Sequence, residues 1–372
     1  MKHKKFKVCI DARLWGTKHT GIGRYIENLI DNFKASSEYE IVLIVPPDLT
    51  NEPKLKEFPK YYARFHPYAL LSQFEILFLL IRIQPDLIHI PHFTIPVLWP
   101  GKMVVTIHDL IKHFSKGVET TTRNRHVYWF KYVGYLLIVY TAIKRANHLI
   151  VPAKYWKKII IQKYHISSDK ISVTYEGVTK QYLIQKPDQN FKPLLPKPYV
   201  VYTGNLYPHK NMPTLFKAIK LLNGKVNLAV VCARSVFSGR AEQYIRNEKV
   251  SNYVKFLGFV PDNELISLYS QSLSLVQPSL IEGFGLTGLE AMAVNTPVIA
   301  ARASCLPEIY QNAALFFEPL DESDLSKKIL LLLHNKKIRS GLIKKGVKLV
   351  NKFSWRKMAK ETGEVYIKVL RE

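Results

Sequence analysis

Short apolar runs rich in β-branched residues recur along the chain, and helix-like segments separate them. Runs of this length suit strands buried on both faces, and their alternation with helices predicts βαβ units and parallel sheets. The first series of predicted strands is Lys7–Ile10, Ile41–Val45, Leu87–Ile90, Val104–Ile107, His148–Val151 and Ile171–Tyr175. The second series is Tyr199–Thr203, Val226–Val231, Val254–Leu257, Ser274–Gln277, Pro297–Ala300 and Leu315–Phe317.

A proline-rich segment, Lys186–Pro198, separates the two series. Its four prolines disfavour a helix or a central strand, so the segment indicates a linker between domains. The length of 372 residues also suits about two domains. We therefore expect an α/β protein with two Rossmann-like, doubly wound domains, residues 1–190 and 191–353, facing each other across a cleft.

The last segment, residues 354–372, predicts an amphipathic helix with Ser354 as its cap. The N-terminal domain is the expected packing partner of this helix. Its predicted apolar face consists of Trp355, Met358, Val365, Tyr366 and Val369.

The three cysteines include no CxxC pair, which argues against a disulfide framework or a zinc site. A reducing compartment, and hence a cytoplasmic location, is the expectation. The apolar stretch after the N-terminal lysines meets Asp11 and Arg13, so it predicts a first strand rather than a signal peptide. The most apolar helical stretch, Tyr132–Ile143, is too short for a bilayer, which needs roughly 20 residues.

The formal net charge is +25, and residues 111–170 hold twelve Lys or Arg against two acids. Such a surface favours phosphates, nucleic acid or an anionic membrane face, although solvated surface lysines explain it equally well. One hypothesis is that the N-terminal domain docks on the inner face of the plasma membrane. Its candidate contacts are Tyr128, Trp129, Lys131, Tyr132 and Tyr135. The alternative is that these aromatic residues belong to the core.

The sharpest chemical pattern is Pro278–Ala301, in which a predicted strand leads into a glycine-rich loop and then a helix near Thr287 or Gly288. A helix N-terminus presents free N–H groups and the positive end of the helix dipole, which suits phosphate. Glu282 and Glu290 flank the loop, and carboxylates accept hydrogen bonds from sugar hydroxyls. The segment therefore predicts a nucleotide-sugar site.

This segment resembles the E-x7-E motif of family-4 retaining glycosyltransferases of the GT-B fold, and the resemblance extends over nearly the whole chain. It implies that Glu282 faces the donor sugar and that Glu290 grips the ribose. It also implies that the loop meets the diphosphate and the sugar. The loop residues in question are Gly283, Phe284, Gly285, Leu286 and Thr287. Thr287 stands where the family often has Pro, and Asn295 where it often has Gly.

A second segment, Tyr202–Ile219, resembles the family's first C-terminal strand and its basic pair. The resemblance implies that Gly204 lies near the sugar and that Lys210 neutralises the diphosphate leaving group. Taken alone, Lys210 is as well explained by a solvated surface lysine. His209 stands where the family often has Arg, and a histidine lacks the bidentate fork of a guanidinium.

Two N-terminal segments and one loop complete the resemblance. The strand that ends in His108 and Asp109 implies that His108 points to the donor sugar. The loop with Gly21 and Gly23 resembles the family loop that approaches donor and acceptor. It does not match the G-x-G-x-x-G fingerprint of dinucleotide-binding proteins, because Ile26 stands where that pattern requires its last glycine. Phe256–Val260 resembles the loop whose backbone holds the nucleobase. The resemblance therefore adds Phe259 and Val260 to the expected donor-binding residues. His92 and Phe93 are candidates for the acceptor side.

No Asp-x-Asp motif occurs in the sequence, so we expect a reaction without a metal and without a cofactor. GDP-mannose is the first candidate donor because of the likeness to bacterial mannosyltransferases, and a UDP-sugar is nearly as well supported. The expected acceptor is a glycan or a lipid-linked glycan. Alternatives are an epimerase or phosphorylase of the same fold, an NAD-dependent enzyme, and a non-enzymatic basic binder of membrane or nucleic acid. No nucleic-acid-binding signature occurs, so we expect no nucleic acid partner.

Overall fold

The computed structural model describes residues 5–16, 20–33, 36–122, 124–188, 190–233 and 236–372. The chain forms two compact units. The first unit comprises Met1–Leu110, Asn124–Glu176 and Ser354–Glu372. The second unit comprises Ile111–Arg123 and Gly177–Phe353.

The strands and helices alternate along the chain. The strands are β1 (Phe6–Asp11), β2 (Tyr39–Val45), β3 (Lys60–Tyr62), β4 (Leu87–Ile90), β5 (Met103–Thr106), β6 (His148–Val151), β7 (Ile171–Val173), β8 (Tyr199–Thr203), β9 (Asn227–Val231), β10 (Val254–Gly258), β11 (Ser274–Gln277), β12 (Val298–Ala301) and β13 (Ala314–Phe317). The helices are α1 (Thr20–Asn32), α2 (Leu71–Ile83), α3 (Ile111–Phe114), α4 (Arg125–Arg145), α5 (Lys154–Tyr164), α6 (Lys180–Ile184), α7 (Met212–Leu222), α8 (Ser238–Asn247), α9 (Asp262–Gln271), α10 (Leu286–Ala293), α11 (Leu306–Tyr310), α12 (Glu322–His334), α13 (Lys336–Val350) and α14 (Trp355–Arg371).

The first unit is built on a parallel sheet with the strand order β3-β2-β1-β4-β5-β6-β7. Each of the six strands predicted for this unit is present, within two residues at either end. The short edge strand β3 was not predicted. Its sequence, KYY, has no apolar run, and its residues are half-buried or exposed.

The C-terminal helix α14 belongs to the first unit, where it packs on α1. Ser354 caps it by accepting a hydrogen bond from the backbone N–H of Lys357. All five residues of the predicted apolar face are buried, which confirms that face. Gly363 allows the close approach of β2, because a Cβ there would lie 2.6 Å from the hydroxyl oxygen of Tyr39.

A buried histidine joins α14 to the sheet. His89 on β4 contacts the Tyr366 hydroxyl through Nδ1 at 2.6 Å and the Thr106 hydroxyl through Nε2 at 2.8 Å. Burial, and to a lesser degree the nearby His108, lowers the pKa of His89 to about 3. The folded protein therefore holds this imidazole neutral.

Acid will destabilise the first unit through His89. Because the folded pKa lies below the unfolded value of about 6.5, the neutral ring contributes its full stability above about pH 6.5. That contribution is lost as the pH falls from there towards the folded pKa, at about 1.4 kcal/mol per pH unit. All five tryptophans lie in the first unit, so urea unfolding followed by tryptophan fluorescence measures it. We expect His89→Gln to flatten the pH dependence of the midpoint between pH 7 and pH 5. The same change at the exposed His126 of α4, in the same unit, is the control, and equal slopes in the wild type and His89→Gln would contradict the assignment.

The second unit is built on a parallel sheet with the order β10-β9-β8-β11-β12-β13. All six predicted strands of this series are present. The main segment of the unit begins at Gly177, before the expected boundary at residue 190, and the unit also includes Ile111–Arg123 from the range expected for the first domain. The buried Tyr182 explains the start at Gly177, because its hydroxyl donates to Asp262 at 3.1 Å and thereby holds α6 on this unit.

The described part of the linker segment, Lys186–Pro198 without residue 189, contains no helix or strand. Within the described residues, no helix combines the length and the apolar character that crossing a membrane requires.

Candidate functional site

The strongest candidate site lies where the winding of the second sheet reverses direction. β8 and β11 are neighbours there, and the chain continues from β8 to one side of the sheet and from β11 to the other. Parallel α/β sheets bind ligands outside the carboxyl ends of strands at such a switch point. Lys210 follows β8 and Glu282 follows β11, so the topology brings the two predicted site residues together.

Lys210 and Glu282 form an ion pair. The Lys210 Nζ lies 2.7 Å from Glu282 Oε1, and the two side chains are only 14% and 11% exposed. Gln277, the last residue of β11, donates from Nε2 to the same carboxylate oxygen at 3.0 Å. The carboxylate is therefore fixed by two donors, one of them charged.

The ion pair determines the protonation state of the carboxylate. Burial acts to raise the pKa of Glu282, but the charge and hydrogen bond of Lys210 outweigh it, so the pKa is lowered. Glu282 is thus ionised at neutral pH, and it accepts hydrogen bonds without donating them. A cation and an anion in a half-buried setting suit a ligand that carries both phosphate and hydroxyl groups.

The two loops that carry the pair are tied together through their backbones. The N–H of Leu280 donates to the carbonyl of His209 at 2.8 Å. The amide of Asn211 donates to the carbonyl of Pro278 at 3.1 Å. On the other side, the N–H of Glu282 donates to the hydroxyl of Ser304 at 3.0 Å. These bonds hold both charged groups on a rigid frame.

Tyr310 and Gln277 adjoin the ion pair, and the sequence analysis named neither of them. The buried Tyr310 hydroxyl donates to the Gln277 side-chain carbonyl and, at 2.6 Å, to the Gly285 carbonyl. The first bond orients the amide so that its NH₂ group faces Glu282. Tyr310 therefore positions the carboxylate through Gln277. In the sequence, only the polar Gln277 at the end of β11 hinted at this arrangement. Tyr310 lies 33 residues further along the chain, so no local pattern links the two residues.

Two loop glycines make room for Tyr310. Gly285 has φ +105°, and a Cβ there would lie 2.7 Å from the Tyr310 hydroxyl. A Cβ on Gly288 would lie 2.3 Å from both the Tyr310 hydroxyl oxygen and ring carbon Cζ. The absence of a side chain at both positions therefore makes room for the Tyr310 ring.

Helix α10 begins at Leu286, one or two residues before the predicted start at Thr287 or Gly288. Gly285 occupies the N-cap position of α10. No side chain at this position accepts a hydrogen bond from the first N–H groups of the helix. Thr287 and Gly288 lie in the first turn. Glu290 is buried, at 3% exposure, one turn further along.

The remaining loop residues differ in exposure. Phe284 is buried, and its ring meets that of Phe353 edge to face at 5.6 Å. Its side chain thus belongs to the core, and its backbone carbonyl accepts from Cys305 Sγ at 3.4 Å. Gly283 is half-buried.

His209 is half-buried beside Lys210, and its ring stacks on Tyr207. Burial and the Lys210 charge lower the pKa of His209 to about 4. His209 is therefore neutral at physiological pH and does not replace the charge of an arginine. Gly204, directly after β8, has φ +149°, and a Cβ there would lie 3.0 Å from the Tyr202 hydroxyl.

Phe259 and Val260 follow the edge strand β10. Phe259 is 72% exposed, and Val260 is half-buried. Like Lys210, they follow the carboxyl end of a strand, so they lie at the same end of the sheet. They are apart from the ion pair, because β9 and β8 lie between β10 and the switch point.

His108 belongs to the first unit, after β5. Its Nε2 donates to the Pro91 carbonyl at 3.2 Å, and its Nδ1 lies 3.4 Å from the Glu176 carboxylate. The Tyr25 ring meets it edge to face at 4.7 Å. Glu176 is thus the carboxylate that faces His108. No local sequence pattern could reveal this partner, because it lies two strands further along the chain.

Gly21 and Gly23 lie in the first turn of α1, which begins at Thr20. The expectation of a loop that contains both glycines and precedes the helix is therefore wrong. A Cβ on Gly23 would lie 1.9 Å from the Gly16 carbonyl oxygen, so the backbone after β1 requires this glycine. Gly21 faces open space.

On the expected acceptor side, the buried His92 contacts the Tyr68 hydroxyl at 2.6 Å and the Thr94 hydroxyl at 3.0 Å, and its ring lies 4.0 Å from that of Phe93.

Within the described ranges, no cluster of three or more His, Cys, Asp or Glu side chains is arranged to hold a metal ion. None of the three cysteines, all of which are described, forms a disulfide.

Two family models cover most of the chain. The model described as Glycosyltransferase Family 4 matches residues 19–182, and the model described as Glycosyl transferases group 1 matches residues 185–349. The chain belongs to the family-4 glycosyltransferases. It is therefore a glycosyltransferase, which rules out the NAD-dependent and non-enzymatic alternatives.

Relatives of this glycosyltransferase include two bacterial enzymes. It is 32% identical over 231 residues to the O-antigen chain mannosyltransferase RfbU of Salmonella typhimurium, a match that covers 62% of this chain and 60% of that protein. The chain thus spans less than two thirds of RfbU. It is 25% identical to the O-antigen chain mannosyltransferase B of Escherichia coli, over 93% of this chain and 96% of that one.

Solved structures show the same fold. The sucrose-phosphate synthase from Thermosynechococcus elongatus matches with a TM-score of 0.76 at 18% identity, over 99% of this chain and 100% of that chain. The glycosyltransferase from Rickettsia africae ESF-5 matches with a TM-score of 0.72 at 17% identity, over the whole of both chains. The predicted GT-B fold with two Rossmann-like sheets is confirmed.

Proposed function

We propose that this glycosyltransferase moves a hexose to a glycan or lipid-linked glycan during synthesis of a cell-surface polysaccharide, with mannose from GDP-mannose as the first candidate donor. The likeness to two proteins named as O-antigen mannosyltransferases, at 32% and 25% identity, supports both the pathway class and the sugar. A UDP-sugar is the alternative donor, and the experiment below distinguishes the two.

The observation that carries the proposal is the ion pair between Lys210 and Glu282 at the switch point of the second sheet. In the proposed mechanism, Lys210 neutralises the charge that develops on the leaving diphosphate, where fixed charges are most effective. Glu282 accepts hydrogen bonds from the hydroxyls of the transferred sugar. The first N–H groups of α10 bind the phosphates together with Lys210.

We propose a retaining reaction without a covalent glycosyl-enzyme. Glu282 Oε1 already accepts from Lys210 and Gln277, which makes the carboxylate a weak nucleophile and a good binding group. The bond from the anomeric carbon to the diphosphate breaks, and the acceptor oxygen bonds to that carbon on the same face. The leaving phosphate takes the proton of the acceptor hydroxyl. Lys210 and the start of α10 provide the positive charge, so we expect activity without a divalent metal.

The Glu290 carboxylate is proposed to bind the donor ribose. We expect Glu290→Gln, which keeps the shape and removes the charge, to raise the Kd for GDP about 10- to 100-fold, because a hydrogen bond to a charged group contributes about 1.5–3 kcal/mol. Calorimetric titration with GDP measures this change. The exposed Glu364 of α14, changed to Gln, is the control. An unchanged Kd in Glu290→Gln would remove Glu290 from the donor site.

Proton NMR of the released sugar tests the donor and the stereochemistry together. The purified chain is incubated with GDP-mannose or UDP-glucose, in EDTA or in magnesium, and the configuration of the first product is read from its anomeric signal. We expect turnover of GDP-mannose in EDTA with the α configuration of the donor kept. Turnover of UDP-glucose alone would establish the alternative donor. A β-configured first product would contradict retention, and turnover in magnesium alone would contradict metal independence.

A further inference from the structure

Helix α4 is apolar on two opposite sides. One side is buried against the first sheet through Tyr135, Val139, Ala142 and Ile143. The opposite side is open to solvent, with exposed fractions of 82% for Phe130 and 63% for Leu137. The exposed residues recur every three or four positions, which places them in one stripe along the helix. The stripe consists of Val127, Phe130, Val133, Leu137 and Tyr140.

Helix α2 shows the same arrangement. It buries Ser72, Ile76, Leu80 and Ile83. Its opposite side exposes Leu71, Phe74, Phe78 and Ile81. Phe74 and Phe78 are 66% and 69% exposed. A monomer rarely presents so much contiguous apolar surface to water unless that surface binds something.

The two stripes share one face of the first sheet. Right-handed crossovers place helices that advance in the same direction along a parallel sheet on the same face. α2 joins β3 to β4, α4 joins β5 to β6 and α5 joins β6 to β7, and all three advance in the same direction. Ring contacts agree, since Phe93 lies 6.2 Å from Tyr68, just before α2, and 5.3 Å from Tyr135 of α4.

Basic side chains are concentrated on two helices of this face. The stretch from Asn124 to Ser168, which contains α4 and α5, has eight Lys or Arg and no Asp or Glu. Those eight are Arg125, Lys131, Lys144, Arg145, Lys154, Lys157, Lys158 and Lys163. α5 packs beside the exposed stripe, because Tyr164 and Tyr140 are in ring contact at 6.3 Å. The one acid of α2, Glu75, accepts from the backbone N–H groups of Arg64 and Phe65 at 2.7 and 2.9 Å.

We propose that this face, the outer sides of α2 and α4 with the lysines of α5, docks on the surface of an anionic lipid bilayer. A bilayer interface accepts Phe, Leu and Tyr at the boundary of the acyl chains while its headgroups attract the surrounding lysines. A second copy of this chain fits worse, because it would bring the same basic side chains against each other. None of the four aromatic residues named from the sequence belongs to the exposed stripe of α4, and Tyr135 alone among them is buried.

Vesicle co-sedimentation of the full chain tests the proposal, with phosphatidylcholine alone or mixed with phosphatidylglycerol. We expect binding to the mixed vesicles that weakens with salt, and little binding to the neutral ones. The double variant Phe130→Ser with Leu137→Ser removes the centre of the stripe. Its control is Leu194→Ser with Leu320→Ser, at positions 75% and 69% exposed in the second unit. We expect the first pair to lower the partition coefficient about tenfold or more and the control pair to leave it unchanged.

The charge is tested separately. Lys154, Lys158 and Lys163 changed together to Gln should lower binding to the mixed vesicles by at least about tenfold. The same change at the exposed Lys344, Lys345 and Lys348 of α13 is the control. Equal binding of the wild type to both kinds of vesicle, or to neither, would overturn the proposal. So would a dimer in solution that Phe130→Ser with Leu137→Ser dissociates, if vesicles are not bound, because a second copy would then be the partner.

Discussion

Replacing Lys210 with methionine will lower kcat by about 10²–10³-fold, the usual effect of removing one fixed charge or donor from a developing anion. The methylene stem of the side chain is kept, and the ammonium that lies 2.7 Å from Glu282 is lost. Steady-state assays of donor turnover measure the effect. In the wild type, the effect of Lys210 on the pKa of Glu282 outweighs that of burial, so the loss of Lys210 also raises this pKa. As the pH is lowered, the residual activity of the variant will therefore begin to decline at a higher pH than the activity of the wild type.

His209→Gln is the matched control for this prediction. The pKa of His209, lowered to about 4 by burial and by Lys210, leaves the ring uncharged at neutral pH. We therefore expect kcat within about threefold of the wild type between pH 6 and pH 8. A Lys210→Met enzyme that keeps the wild-type kcat, or a His209→Gln enzyme with an equally large loss, would contradict the assignment of the leaving-group charge to Lys210.

Gly288→Ala will disrupt the donor site through Tyr310. The new Cβ would lie 2.3 Å from the Tyr310 hydroxyl and ring, and that ring is buried and bonded to Gly285 and Gln277. Overpacking of this kind costs about 1–3 kcal/mol, which lowers Tm by several degrees in a domain of this size. We also expect weaker GDP binding, because Gln277 loses the partner that orients it towards Glu282.

Gly341→Ala in α13 is the control, since its Cβ would meet open space. The tryptophans lie in the first unit, so calorimetry rather than fluorescence must follow the second unit. Combining Gly288→Ala with Tyr310→Leu should cost less than the sum of the single changes, because both act on the same contact. Strict additivity, or a Gly288→Ala enzyme as stable as the Gly341→Ala enzyme, would exclude the contact as the cause.

Much of the fold could be predicted from the pattern of apolar residues, because each buried parallel strand corresponds to a continuous apolar run in the sequence. All twelve predicted strands exist, whereas β3 was missed since an edge strand half open to water needs no such run. The early start of the second unit could not be predicted either. It depends on Tyr182 reaching Asp262, a contact between distant residues that leaves no local pattern.

The site divides in the same way. Glu282 and Lys210 each follow a strand end, so the local sequence places them, and the topology makes their strands neighbours. The partners that fix them, Gln277 and Tyr310, and the Glu176 that faces His108, are brought together only by tertiary folding. Glycine was informative but ambiguous: the sequence showed a glycine-rich loop before α10, and the group that approaches Gly285 and Gly288 in the structure is a tyrosine.

The most direct test of the central claim, that the second unit holds a nucleotide-sugar donor at the Lys210–Glu282 pair, is a thermal-shift comparison of GDP, UDP, ADP and NAD in EDTA and in magnesium. A ligand at about 100 times its Kd adds about 2.7 kcal/mol of stability. We predict that GDP raises the Tm of the wild type equally in both buffers. At the same concentration we expect it to stabilise Glu290→Gln only about half as much or less, because the Kd of that variant is expected to be about 10- to 100-fold higher. Stabilisation by NAD but by no nucleoside diphosphate would contradict the claim.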